Sequence, residues 1–347
     1  MVDNLNLTAF CIGAGTAYYA LAAYHLLWGE ERATTRLHKV LGYMFLFWLV
    51  ANTKDIVLTF PGVYSRSTLD LIMLTDGWSG IGYAALLFEI TMPGWANLRR
   101  LILLSLPFML FTVAYFACPS HGLIIAYGVF LSIFGVSTLV IGCYRARRYM
   151  SYIRANYSNI DGLSIDWLNK FCLLCFLGQA LWLLTSIVGN HWIDCAYYLV
   201  TICLWHTMYV HCRNLRQVVP VEPDEPTAAP ERDYAFAADV DGVMAEGRLW
   251  LDPNLSLGDL ARRLSTNRTY LSDYFSSVKR TTFYDYVNAL RIERESVPLV
   301  VNHPEYTLEY IARQSGFNSL STFRRAFRKF TGHNPGHYRD KGATAEG

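Results

Sequence analysis

LGDLARRLSTNRTYLSDYF (residues 257–275) and LEYIARQSGFNSLSTFRRAF (residues 308–327) are two versions of one pattern, about fifty residues apart. Each sets an apolar residue before an alanine (Leu260-Ala261, Ile311-Ala312), then a turn, then an amphipathic segment ending in phenylalanine (Phe275, Phe327). A small alanine lets a second helix cross the first closely, and the short turn sets the steep crossing of a helix-turn-helix. Helix-start residues fall where this reading needs them: Ser256 before 257–264, Thr307 before 308–315, and Asn318 or Ser319 before the segment ending near Phe330. Gly316 suits a left-handed stop. Between the two units, 283–300 is periodic in Phe283, Tyr286, Val287 and Leu290, with Arg291, Glu293 and Arg294 as its charges, which predicts one longer connecting helix.

Outward from this region the chain changes character. Of 347 residues, 53% are hydrophobic, 15% aromatic and only 17% charged, against roughly 25% charged in soluble domains, so an ordinary soluble enzyme is excluded. The net charge of +2 covers two halves: residues 1–219 carry 14 Lys/Arg and 10 Asp/Glu among long apolar runs, while 232–347 carry 16 and 14 in a polar sequence. All eight cysteines lie in the apolar half, where Cys172 and Cys175 read as packing residues, so neither a disulfide framework nor a metal site is implied. The N-terminus has no basic region or cleavage site of a removed signal peptide.

A spanning helix needs about 20 apolar residues, and the first half offers seven candidates: 7–28, 40–59, 69–91, 101–118, 121–143, 167–189 and 192–212. The expected fold class is therefore all-α, a seven-transmembrane-helix bundle followed by a cytoplasmic two-unit helix-turn-helix domain. Arg32, Arg36, Lys39, Arg99, Arg100, Arg145, Arg147, Arg148, Arg154, Arg213 and Arg216 fall on one set of connections, and Arg66 stands alone on the other. Basic residues stay cytoplasmic, so this asymmetry predicts an outside N-terminus and a cytoplasmic polar domain. The last span has no lysine for a retinal Schiff base, and the chain has no phosphate-binding glycine loop. The expected domains are 1–215, a membrane sensor; 216–235, a linker rich in proline (Pro220, Pro223, Pro226, Pro230) that forbids a continuous helix; and 236–347, the polar domain.

Residues 311–339 (IARQSGFNSLSTFRRAFRKFTGHNPGHYR) resemble the C-terminal signature of AraC/XylS-type DNA-binding domains, and 251–261 (LDPNLSLGDLA) resemble its opening. Ile311, Ala312, Gly316, Phe317, Phe323, Phe327, Gly332, Pro335, Tyr338 and Arg339 stand in the family's order, and the resemblance covers about 236–340. It implies a pair of helix-turn-helix units joined by a linker helix in a bacterial regulator, which the apolar spans would hold at the inner membrane. Its recognition helices, 268–279 and 319–330, would enter successive major-groove segments of double-stranded DNA roughly 34 Å apart. The chain departs from the pattern at Arg280 (glycine is usual), Glu295 (small) and Pro298 (apolar).

On the first recognition helix, Asn267, Arg268, Thr269 and Ser272 are candidate DNA contacts, with Asp273 among them where it would repel phosphate. On the second, the candidates are Ser319, Leu320, Ser321, Arg324, Arg325 and Arg328, with Lys329 completing a cluster of four cations. Arginine grips guanine O6/N7 or a phosphate bidentately.

Ionisable residues inside a membrane default to function. Lys54, Asp55 and Asp76 lie at similar depth near the outer ends of spans two and three, with His191 and Asp194 at the mouth of spans six and seven: a candidate signal site, or a structural charge pair. Glu89 is expected to snorkel, and His206 to pack. These readings describe a membrane-bound one-component transcription regulator with no catalytic residues and no cofactor. Its partners are DNA, the lipid bilayer and a small-molecule or protein signal, and a homodimer is open. A transporter or a passive anchor tethered to a DNA-binding regulator is the alternative.

Overall fold

The computed structural model describes residues 2–29, 35–56, 65–188, 191–220 and 234–339. They form two compact units, Met1–Tyr149 with Ile165–Val219, and Met150–Ser164 with Pro220–Gly347. No strand occurs among the described residues, so the fold is all-α. Most of the proline linker lies outside them, as do Arg32 and the side chain of His191.

The first unit comprises α1 (Val2–Leu27), α2 (Arg36–Asp55), α3 (Arg66–Gly77), α4 (Ser79–Thr91), α5 (Leu98–Ala117), most of α6 (His121–Asn156), α7 (Leu168–Val188) and α8 (His191–Arg213). Thr35, Ser65 and Asn97 cap their helices by accepting from the backbone amides of His38, Thr68 and Arg100. The third expected span is broken at Trp78. Its amide bonds the carbonyl of Thr75 rather than that of Leu74, and the Tyr127 hydroxyl from α6 takes up the Leu74 carbonyl at 3.2 Å. A Cβ on Gly77 would lie 2.2 Å from that hydroxyl, so glycine is what lets α6 reach the break.

Helices α1, α2 and α8 share an aromatic core of Tyr19, Phe45, Trp48 and Trp205, and a second cluster joins Leu74, Phe108, Tyr115, Ile124 and Tyr127 from α3, α5 and α6. Among the described residues, four stretches, Leu7–Leu27, Arg66–Thr91, Leu98–Ala117 and His121–Asn156, are long and apolar enough to cross a membrane. In the last two only 11% of the apolar window is buried, leaving Leu106, Leu110, Val113, Val129, Ile133 and Val140 exposed. Glu89 does not snorkel. It is fully buried and accepts at 2.8 Å from the amides of both Gly94 and Ala96, because the turn between α4 and α5 leaves those donors without helical partners.

The second unit contains α9 (Val240–Ala245), α10 (Leu257–Arg263), α11 (Arg268–Ser277), α12 (Phe283–Leu290), a π-helical turn at Arg291–Ser296, α13 (Val297–Asn302), α14 (Leu308–Gln314) and α15 (Leu320–Thr331). Residues 150–164, which the sequence groups with the membrane half, pack within this unit. Ser256, Thr307 and Ser319 cap α10, α14 and α15, and Ser256 forms a reciprocal capping box with Asp259. The two repeats have separate cores: Leu257, Leu260, Ala261, Leu271 and Phe275 in one, Ile311, Ala312, Phe317, Phe323 and Phe327 in the other.

The expected single connecting helix is instead α12, the π turn and α13. The π turn widens the helix just before Pro298, whose ring would otherwise press on the carbonyl four residues earlier. Arg291, one of the charges of the expected connecting helix, is buried at 1% exposure. Arg280 adopts φ 49°, the left-handed region that glycine takes most easily.

Gly316 has φ 82°, and an added Cβ would meet the carbonyl oxygens of Leu251 and Trp250 at 2.8 and 2.9 Å. Gly316→Ala should therefore destabilise the second repeat by about 2–4 kcal/mol through backbone strain and overpacking. Hydrogen exchange of α14 and α15 in the full chain checks this, and unchanged protection would contradict it.

Candidate nucleic-acid interface

In each repeat a short first helix (α10, α14) carries the buried apolar-alanine pair, and a longer second helix (α11, α15) packs its aromatic face on it. On α15, Phe323, Ala326 and Phe327 are buried, so Arg324, Arg325 and Arg328 necessarily project from the opposite side, where all three are exposed. The four-cation cluster is not uniform. Lys329 donates to Asp285 at 2.6 Å, and Arg325 bonds the Tyr284 hydroxyl, whereas Arg324 and Arg328, one turn apart, meet no acceptor among the described residues. They are the cations most available to an incoming anion. Ser319 spends its hydroxyl on the cap, Ser321 is exposed beside it at 3.1 Å between hydroxyls, and Leu320 leans on the second core.

On α11, Asn267 is the N-cap, accepting from the Tyr270 amide at 2.8 Å. Thr269 is exposed, Ser272 is half-buried, and the Arg268 guanidinium lies 5.9 Å from the centre of the Tyr152 ring. Asp273 is half-buried and accepts from the hydroxyls of Tyr234 (2.5 Å) and Ser277 (3.0 Å).

Arg291 lies with its guanidinium 5.5 Å from the centre of the Phe317 ring of the second repeat. Its guanidinium donates to the carbonyls of Trp250 (2.6 Å), Asp252 (2.8 Å) and Ser158 (3.0 Å), to the Ser158 hydroxyl (3.2 Å) and to Asn288 Oδ1 (3.1 Å). Burial pushes it down to about 10, so it is charged at neutral pH.

In the first unit, α2 and α3 bring Lys54, Asp55 and Asp76 together: Lys54 Nζ lies 2.6 Å from Asp55 and 2.7 Å from Asp76. The Tyr198 hydroxyl on α8 donates to the other Asp55 oxygen at 3.0 Å. Sequence reasoning missed this tyrosine, because a tyrosine in an apolar helix looks like packing. Asp194 lies one turn before Tyr198 on α8. Nearby is a cavity of about 260 Å³ lined by Leu86, Leu131, Phe134, Phe171 and Gln179. A narrow recess lined by Trp48, Asp76, Trp182 and Tyr197 shares Ser79, Tyr83, Cys175 and Gln179 with it. Among the described residues no cluster suits a metal ion.

Comparison with known proteins places residues 260–341 in a family described as helix-turn-helix domain. An uncharacterized HTH-type transcriptional regulator of Staphylococcus aureus (strain COL) is 33% identical over 94 residues, 27% of this chain and 12% of that protein. The melibiose operon regulatory protein of Escherichia coli (strain K12) is 31% identical over 98 residues, 28% of this chain and 31% of that protein. The chain thus spans about an eighth to a third of the length of these relatives, and the first unit lies outside the residues that the family description matches. No solved structure matches. Two repeats with separate cores, capped second helices and an arginine pair on α15 that meets no acceptor among the described residues agree with these matches: the C-terminal region of this chain is an AraC-type helix-turn-helix domain.

Proposed function

We propose that this chain is a membrane-bound one-component transcription regulator, which holds its DNA-binding domain at the cytoplasmic face of a bacterial inner membrane and responds to a signal received in the helical bundle. The observation that carries this reading is the exposed apolar surface of α5 and α6, 89% of whose spanning windows is unburied, in the same chain as a DNA-binding domain. Lipid is the solvent such a surface needs. The basic residues at helix ends, eleven against one, support an outside N-terminus. A reporter fused after Arg216 should be active only if it is a cytoplasmic reporter, and activity of a periplasm-only reporter there would contradict the topology.

The signal site we favour combines the Lys54–Asp55–Asp76 cluster with the adjoining cavity. Two carboxylates share one ammonium beside a largely apolar chamber lined in part by Tyr83 and Gln179. This suits a small, mainly apolar molecule with one hydrogen-bonding end. His191 and Asp194 stay as candidates at the start of α8. Lys54→Met should strand two buried carboxylates, costing about 3–5 kcal/mol and lowering membrane abundance. Adding Asp55→Asn and Asp76→Asn should restore abundance but not the response of target genes. A fully responsive triple variant would reduce the cluster to a structural ion pair and favour the anchor reading.

A further inference from the structure

We propose that the segment between α6 and α7, residues 157–161 together with Tyr152, competes with DNA for the N-terminal ends of both recognition helices. The segment belongs to the same compact unit as the helix-turn-helix repeats, and it is stitched to them at three points. In the middle, the Ser158 amide donates to the Leu255 carbonyl at 3.2 Å, while Arg291 holds the Ser158 carbonyl and hydroxyl at 3.0 and 3.2 Å. On one side, Thr322, the third residue of α15, donates its hydroxyl to Asp161 at 2.6 Å. On the other, the Tyr152 ring covers the guanidinium of Arg268, the first residue of α11.

The chemistry of the Asp161 contact is that of a phosphate mimic. A carboxylate at the first turn of α15 sits where the helix dipole and free amides favour an anion, and that end of a recognition helix is the one that meets DNA. Arg268 is in the same position on α11, its charge directed to an aromatic face instead of a backbone phosphate. One segment thereby engages the DNA-facing end of both repeats.

The clasp is also built to open. Asp161 Oδ2 is buried with no hydrogen-bond partner among the described residues, so the contact carries an uncompensated desolvation cost. If the segment leaves, Arg291 keeps its bonds to Trp250, Asp252 and Asn288, and both repeat cores stay intact. The segment follows α6 directly and leads into α7, which gives a signal in the bundle a covalent route to the clasp. This inference rests on the DNA-binding reading above and adds its regulation.

The test uses the full chain in lipid nanodiscs and a fluorescent mixed-sequence DNA duplex. Asp161→Ala should raise DNA affinity about threefold to tenfold. Tyr152→Ala should raise it about twofold to fivefold. In the unsubstituted chain, saturating DNA should speed hydrogen exchange of the amides at 157–161. Unchanged or weaker binding by both variants, or amides at 157–161 that exchange no faster with DNA, would overturn the clasp while leaving DNA binding standing. A chain that fails to bind the duplex under any condition would overturn the clasp and the DNA-binding reading together.

Discussion

Arg291→Met is expected to destabilise the second unit by about 3–5 kcal/mol, among the largest losses any single replacement in this domain should give. Methionine matches the volume but removes every donor, so the carbonyls of Trp250, Asp252 and Ser158 lose the partner that this side chain supplies. An unpaired buried carbonyl costs about 1–3 kcal/mol, and stranding those of Trp250 and Ser158 exceeds what added apolar burial returns, while that of Asp252 keeps the Leu255 amide at 3.3 Å. Arg291→Lys should recover only part of the loss, since an ammonium has three donors where this site uses five bonds across a planar fork. Denaturant unfolding followed by hydrogen exchange in α10–α15 of the full chain measures both. A methionine variant as stable as the parent would mean that water can replace the guanidinium.

Arg324→Ala combined with Arg328→Ala should lower affinity for DNA about a hundredfold while leaving the fold unchanged, because both side chains are exposed. If both arginines contact phosphate, the loss is even across sequences and the salt dependence flattens by about two ions. Should one grip a guanine, sequence preference relaxes instead. Lys329→Ala should cost less DNA affinity than either arginine, since its ammonium is committed to Asp285. Binding titrations at several salt concentrations separate these outcomes, and parity of the double variant with the parent would reject α15 as the recognition helix.

The repeats were legible in the sequence because their information is local. An alanine after an apolar residue, a capping hydroxyl, a glycine at a left-handed stop and a phenylalanine at helical spacing each act within a few residues. The helices of residues 7–27, 66–91, 98–117 and 121–156, long and apolar enough to cross a membrane, were legible from apolar length. What escaped was non-local. Arg291 looks like any charge on a helix face until the π turn rotates it inward toward carbonyls of 250–252 and 158. Trp78 gives no sign of a broken span, because the break depends on a tyrosine nearly fifty residues later. Lys54 and Asp76 share a depth that sequence can count, but Tyr198 joins them only through the packing of α8. Asp161 reads as a loop residue, and only folding brings it to α15.

In the proposed function, one chain is held in a membrane and engages DNA from there. Formaldehyde crosslinking of the tagged full-length chain in living cells, followed by membrane fractionation and sequencing of the attached DNA, tests it most directly. Discrete genomic sites should be recovered with the membrane fraction and lost in the Arg324→Ala, Arg328→Ala variant. Membrane-fraction DNA that is the same for both proteins, or specific sites recovered only with a soluble form, would contradict it.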